Sequence, residues 1–229
     1  MMYKYLIFDL DDTILDFAKS EHTAIKKVFE KNGVNSSDET IKLYSAVNKR
    51  FWERFERGEI KREDIFEGRF VEFAEELGRP LPTKALCDGY FIELSKCGFV
   101  LEGAEELLCS LKNNYTIIGA TNGTFKIQKS RMEASKIAHL FGGGIYISEA
   151  MDTQKPEKKF FDIIFNDIGN PPKNEVLVLG DSLTSDILGA ENYGLDSCFV
   201  DLKNKGLSGP FTYRVTKLSD IPSVCGLKE

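Results

Sequence analysis

The chain is poor in the side chains that most often ligate zinc or close disulfides, with two histidines and five cysteines in 229 residues. The cysteines, at 87, 97, 109, 198 and 225, are odd in number and form no C-x-x-C pair. That scatter argues against a disulfide framework or thiolate zinc site and fits reduced thiols in a cytoplasm. His22 and His139, the only histidines, receive no catalytic role. No apolar run is long enough to cross a bilayer, and the chain reaches Asp9 too soon for a signal peptide to be expected. Positive charge is not in excess. The formal net charge is -6, and Lys and Arg are interspersed with acids, so neither a nucleic-acid polymer nor an anionic membrane is expected as partner. No repeat or low-complexity tract is evident. What is present is 42% hydrophobic residues, enough for a sizeable core in a protein expected to be a monomer or homodimer.

The most informative stretch is Tyr5-Leu6-Ile7-Phe8-Asp9-Leu10-Asp11-Asp12-Thr13. A short apolar run reads as a buried strand, and it ends abruptly in carboxylates. A buried unpaired carboxylate is costly, so these acids call for a metal, a cation or a reaction. Residues two apart on an extended segment share a face, which lets Asp9 and Asp11 share one site. One attacking carboxylate and one proton carrier would suit that arrangement. The plain alternative is an Asp-rich turn.

Three further segments fall at matching places. Glu175 to Asp181 is again an apolar strand ending in an acid, and Asp186 follows near the first turn of an expected helix. Tyr115 to Ala120 reads as a strand ending in Thr121-Asn122-Gly123, where a hydroxyl and backbone N–H groups suit a phosphate. Lys155-Pro156 precedes an expected helix from Glu157 to Phe165, with Pro156 at its first position. Taken singly, Thr121-Asn122-Gly123 is an ordinary turn, Lys155 a solvated lysine and Asp181 a helix cap.

Together, and in this order, the four segments resemble the four motifs of the haloacid-dehalogenase-like (HAD) hydrolase superfamily. The resemblance implies that Asp9 is a nucleophile forming an aspartyl-phosphate and Asp11 the general acid and base. It implies that magnesium is held by the Asp9 carboxylate, the Asp11 carbonyl and Asp181, with Asp186 supporting the metal shell. Thr121, the Asn122 backbone and Lys155 would hold the phosphoryl oxygens. Electrostatics agree: clustered carboxylates repel a phosphate dianion unless a divalent cation and a lysine reverse the sign. Hard oxygen ligands favour magnesium.

Between the first strand and Tyr115 the pattern is helical. Helices are expected from Ser20 to Asn32, from a capping box at Ser36 to Glu39 through Phe55, from Arg62 to Leu77, and from Thr83 to Cys97. From about Glu102 helices alternate with strands near Tyr115, Ile145, Val176, Cys198 and Tyr213, which implies a parallel sheet covered on both faces. The expected architecture is a doubly wound α/β core, residues 1–14 and 98–229, with an all-helical cap domain at 15–97. Two crossings between them invite hinge motion.

Within the superfamily, an acid at the position of Asp11 favours phosphatases over dehalogenases, and ion pumps would need membrane helices. The expected reaction is phosphomonoester hydrolysis of a small phosphorylated substrate. Leu15-Asp16-Phe17, Ser148-Glu149 and Lys155 to Phe161 are most similar to pyrimidine 5'-nucleotidases. Phosphoglycolate or sugar-phosphate hydrolysis and a β-phosphoglucomutase-like phosphomutase are alternatives. Outside enzymes, a receiver-like phosphorylation switch and an inactive HAD scaffold were weighed. The switch fits poorly, because Thr121 and Asn122, not an Asp, follow the Tyr115 strand. For substrate choice, Phe17 is the candidate base-stacking residue, whereas Phe51 and Phe55, four apart, read as cap core.

Overall fold

The computed structural model describes residues 3–227. β1 (Tyr5–Asp9) is followed by four helices: α1 (Phe17–Lys31), α2 (Asp38–Glu56), α3 (Arg62–Glu76) and α4 (Thr83–Leu94). Then come α5 (Ala104–Leu111), β2 (Thr116–Thr121), α6 (Phe125–Ser135), β3 (Ile145–Ile147), α7 (Ser148–Met151) and α8 (Lys158–Asp167). The chain continues through β4 (Val176–Gly180), α9 (Leu188–Tyr193), β5 (Asp196–Val200), β6 (Tyr213–Val215) and α10 (Ile221–Cys225).

The six strands pair in parallel in the order β3-β2-β1-β4-β5-β6, as a doubly wound α/β fold requires. Strand periodicity divides the core in two. Leu6 and Phe8 of β1 pack with Leu177 and Leu179 on one face, and Ile7 packs with Val178, Phe160 and Phe161 on the other. Both faces are buried, which is why these strands are apolar without alternation. The direction of winding reverses between β1 and β4, so a crevice opens at their carboxyl ends, where Asp9 and Asp181 stand.

Helices α1 to α4, between β1 and α5, bury a core of their own. Its centre is aromatic: Phe29 stacks on Phe73 with centroids 5.2 Å apart, and Tyr44 on Phe70 at 5.0 Å. Phe51 and Phe55 are buried in this cluster, as their spacing indicates. The first two helix starts follow side-chain caps rather than apolar spacing. Asp16 accepts from the Lys19 N–H at 2.8 Å, so α1 opens at Phe17, three residues before the expected Ser20. Ser37, not Ser36, caps α2, accepting from the Thr40 N–H at 3.4 Å. Helix α4 stops at Leu94, short of the expected Cys97. The helix after Lys155 also starts later than expected. It opens at Lys158, with Glu157 at the N-cap position but making no side-chain cap bond, and Pro156 stands outside it, joined to Lys155 by a cis peptide.

Candidate active site

Every strand that approaches the crevice delivers one polar group to it. Asp9 ends β1, Thr121 ends β2 and Asp181 follows β4. After β4, Ser182 caps a single wide turn (Leu183–Ile187) by accepting from the Ser185 N–H at 3.2 Å, which buries Asp186 beneath the loop. Carboxylate oxygens of Asp9, Asp181 and Asp186 all lie within 4.8 Å of one another.

Lys155 stands among them with 1% of its surface exposed. Its ammonium donates to Asp9 Oδ1 at 2.7 Å, to Asp186 Oδ1 at 2.7 Å and to the Ala120 carbonyl at 2.8 Å. All three N–H bonds are thereby used. The Asn122 side chain clasps the Lys155 backbone from both sides, donating to its carbonyl at 2.8 Å and accepting from its N–H at 2.9 Å. Sequence reasoning gave Asn122 only a backbone role; the side chain fixes the position of the lysine.

Charge in this site is unbalanced. Burial pushes the Asp9 carboxyl well above its ordinary range; Lys155 offsets part of this, and Asp186, Asp181 and Asp11 add to it. Burial, with Asp186 and Asp12 close by, pushes Asp181 up to about 8. Burial alone would lower the Lys155 ammonium, but Asp186 and Asp9 more than offset that and hold it above the usual lysine range. When all three carboxyls are ionised they exceed the one ammonium by two negative charges, and their reluctance to ionise together is what a hard divalent cation would relieve.

Asp11 and Thr121 are organised by two residues that the sequence reading did not single out. The Arg131 guanidinium donates to Asp11 Oδ1 at 2.5 Å, and Gln128 Nε2 donates to Asp11 Oδ2 and to Thr121 Oγ1, both at 2.9 Å. Thr121 Oγ1 also accepts from the Gly123 N–H at 3.1 Å, which leaves its own proton free to donate. Arg131 reaches further, to the Cys97 carbonyl at 3.1 Å, and lies 5.5 Å from the centroid of Phe17. A signal for the pair existed. Gln128 and Arg131 occupy the positions of α6 that share the buried face with Ile127 and Met132, and polar residues at such positions need a partner.

The helices also touch the crevice. Glu56, at the end of α2, accepts from Ser182 Oγ at 3.3 Å and from Thr184 Oγ1, and burial raises its carboxyl despite the Thr184 bond. Arg62 donates to the Asn122 carbonyl at 2.6 Å and to Ser148 Oγ at 2.7 Å. Neither had a sequence signal, because both are charged residues at helix ends. The resulting pocket, about 150 Å³, is lined by Asp9, Asp11, Thr121, Lys155 and Asp181 from the sheet side and by Phe17, Trp52 and Glu56 from the helices. Every site residue expected from the sequence lines it. Asp12 does not; it turns away at φ 60° and accepts from Lys203 at 2.9 Å.

Residues 3–194 match the haloacid dehalogenase-like hydrolase family. The chain belongs to that family. Among its relatives, pyrimidine 5'-nucleotidase PynA of Streptococcus pneumoniae is 34% identical over 225 residues, covering 96% of this chain and 94% of that protein. Pyrimidine 5'-nucleotidase YjjG of Escherichia coli is 31% identical over 205 residues, covering 90% and 89%. A crystal structure of the HAD hydrolase YfnB of Bacillus subtilis, bound to magnesium and described as revealing interdomain movement, superposes with a TM-score of 0.91. Its identity is 30%, covering 98% of this chain and 99% of that one. No helix among the described residues is long and apolar enough to cross a membrane.

The charge imbalance has a thermodynamic signature. Asp181 holds its proton up to about 8 in the folded, metal-free protein, against an ordinary value of 3.8. Its contribution to stability is therefore complete below about 4 and is lost as pH rises towards 8. Metal-free protein should melt at a lower temperature at pH 8 than at pH 6, and saturating magnesium should remove that difference. Thermal melts that show the same pH dependence with and without magnesium would contradict it.

Proposed function

We propose that the protein is a magnesium-dependent phosphomonoesterase that works through an aspartyl-phosphate and acts on nucleoside 5'-monophosphates, pyrimidine nucleotides foremost. The observation that carries the reading is Asp9 at the switch point, gripped by buried Lys155, with Asp11 two residues on and Asp181 opposite. Similarity to two pyrimidine 5'-nucleotidases supports the substrate class.

In this reading Asp9, Asp181 and the Asp11 carbonyl hold the cation and Asp186 supports them. When bound, magnesium makes the phosphorus electrophilic and cancels the excess negative charge. With a cation bound the Asp9 carboxyl would be ionised and need no base to activate it, and Lys155 fixes its orientation for in-line attack. Thr121 donates its free proton to a phosphoryl oxygen, together with the Asn122 backbone N–H. Lys155 contributes as a charge shared with Asp9 and Asp186, since its N–H bonds are already engaged. Asp11, oriented by Arg131 and Gln128, protonates the leaving alkoxide. It then takes a proton from the water that opens the aspartyl-phosphate.

Residues 15–97 form the proposed cap domain over a core of 1–14 and 98–229. Glu56 and Arg62 fasten the cap to the loops after β4 and β2, and the two crossings let it swing to admit substrate and exclude water. All five cysteines are free, in keeping with a cytoplasmic setting.

Two outcomes test this. Asp9→Asn should retain the fold by circular dichroism yet release phosphate at less than about a thousandth of the wild-type rate, because an amide cannot attack. Release above a few per cent of wild type would remove Asp9 from the nucleophile role. Phe17→Ala should lower kcat/KM for pyrimidine nucleotides by about ten- to a hundredfold, the worth of one stacked base. A generic aryl phosphate should lose far less; equal losses would make Phe17 a support for the loop.

A further inference from the structure

Beyond the phosphate end, the crevice continues among the helices as a second, narrower cavity of about 40 Å³. The two share Asp11, Phe17, Trp52 and Gly123, but the second is not lined by Asp9, Lys155 or Asp181. Arg69 of α3 and Tyr90 of α4 line it instead, with Phe66 and Phe91.

Arg69 is 2% exposed and only partly paired. Its Nη1 donates to Asn48 Oδ1 at 2.8 Å, and the Asn48 amide donates in turn to Glu21 Oε1 at 2.6 Å. Arg69 Nε and Nη2 and the Tyr90 hydroxyl are buried with no hydrogen-bond partner among the described residues. The guanidinium carbon lies 4.7 Å from the Tyr90 ring centroid and 5.6 Å from that of Phe91. Those contacts favour the buried charge through the ring faces, but they give the in-plane N–H bonds no acceptor.

Nε–H and Nη2–H leave one edge of a rigid plane and match acceptors set side by side, such as the two lone pairs of a carbonyl or a carbonyl beside a ring nitrogen. The aromatic walls suit a flat ring. A small carboxylate would fit the fork but would gain nothing from the walls.

We propose that this cavity is the base subsite, in which Arg69 and Tyr90 donate to the carbonyl edge of a pyrimidine packed beside Phe17 and Trp52. The proposal rests on the phosphomonoesterase reading and specifies what the far end of that substrate meets.

Trp52 is the only tryptophan, so its indole N–H gives a single NMR resonance at the mouth of the subsite. Nucleosides carry no phosphate, so their binding is read independently of hydrolysis. Titrating the whole protein with deoxyuridine or deoxycytidine should shift that resonance saturably, whereas deoxyribose and glycolate should not. Arg69→Gln, checked for an unchanged melting temperature, should weaken nucleoside binding by about tenfold or more. Should that variant fail to fold, wild-type protein titrated with a pyrimidine nucleoside analogue lacking ring carbonyls provides the same contrast, and the analogue should bind about tenfold more weakly. No saturable shift with either nucleoside, equal affinity in Arg69→Gln, or tighter binding of glycolate would overturn the subsite, even with nucleotide hydrolysis intact. Saturable, Arg69-dependent binding without phosphate release from any nucleotide would uphold the subsite and overturn the hydrolase reading instead.

Discussion

The site is organised around one buried ammonium. Lys155 is out of water, and it is tolerated there because each N–H bond meets an acceptor and two of those acceptors are carboxylates. The arrangement works in both directions. Without Lys155, Asp9 and Asp186 would be buried acids facing each other; at a partly screened dielectric a unit-charge pair 4 Å apart is worth about 4 kcal/mol. With it, the carboxylates are oriented but not neutralised, and Asp181 adds a further acid whose proton a bound cation would displace. That excess of acid is what a divalent cation would offset, and the cation would in turn make the pocket acceptable to a phosphate. The Asn122 clasp and the turn after β4 exist, in this view, to hold Lys155 and Asp186 at one spacing.

A second layer of buried polar contacts ties the chemistry to the helices. Arg131 holds Asp11 while bonding the Cys97 carbonyl at the return crossing, so the proposed proton carrier and the proposed hinge share one side chain. Arg62 and Glu56 press from the helical side on the loops that carry Asn122 and Asp186. A movement of the helices cannot leave the site unchanged, because contacts from both sides meet at the same loops.

The sequence made the sheet and the site legible for a common reason: a doubly wound fold buries its central strands on both faces, so each appears as an apolar run, and function collects where the runs stop. Tyr5 to Asp9 and Val176 to Asp181 carry that signature without ambiguity. The starts of α1 and α2 were less legible because capping decides them. Asp16 drew α1 forward to Phe17, and Ser37 displaced Ser36. Arg131, Gln128, Arg62, Glu56 and Arg69 remained hidden because a charged residue on a helix reads as solvated. Only tertiary contact turns it into a buried partner, and only at Gln128 and Arg131 did its place on an apolar face give it away.

The central claim is that the carboxylate held by Lys155 becomes covalently phosphorylated. Rapid acid quench of the protein turning over a pyrimidine nucleoside 5'-monophosphate with magnesium, followed by peptide mass spectrometry, tests it most directly. A hydroxylamine-sensitive phosphoryl group on Asp9, formed at a rate at least equal to turnover and absent in chelator, is the predicted result. Steady phosphate release with no such adduct, or with the adduct on another residue, would contradict the account.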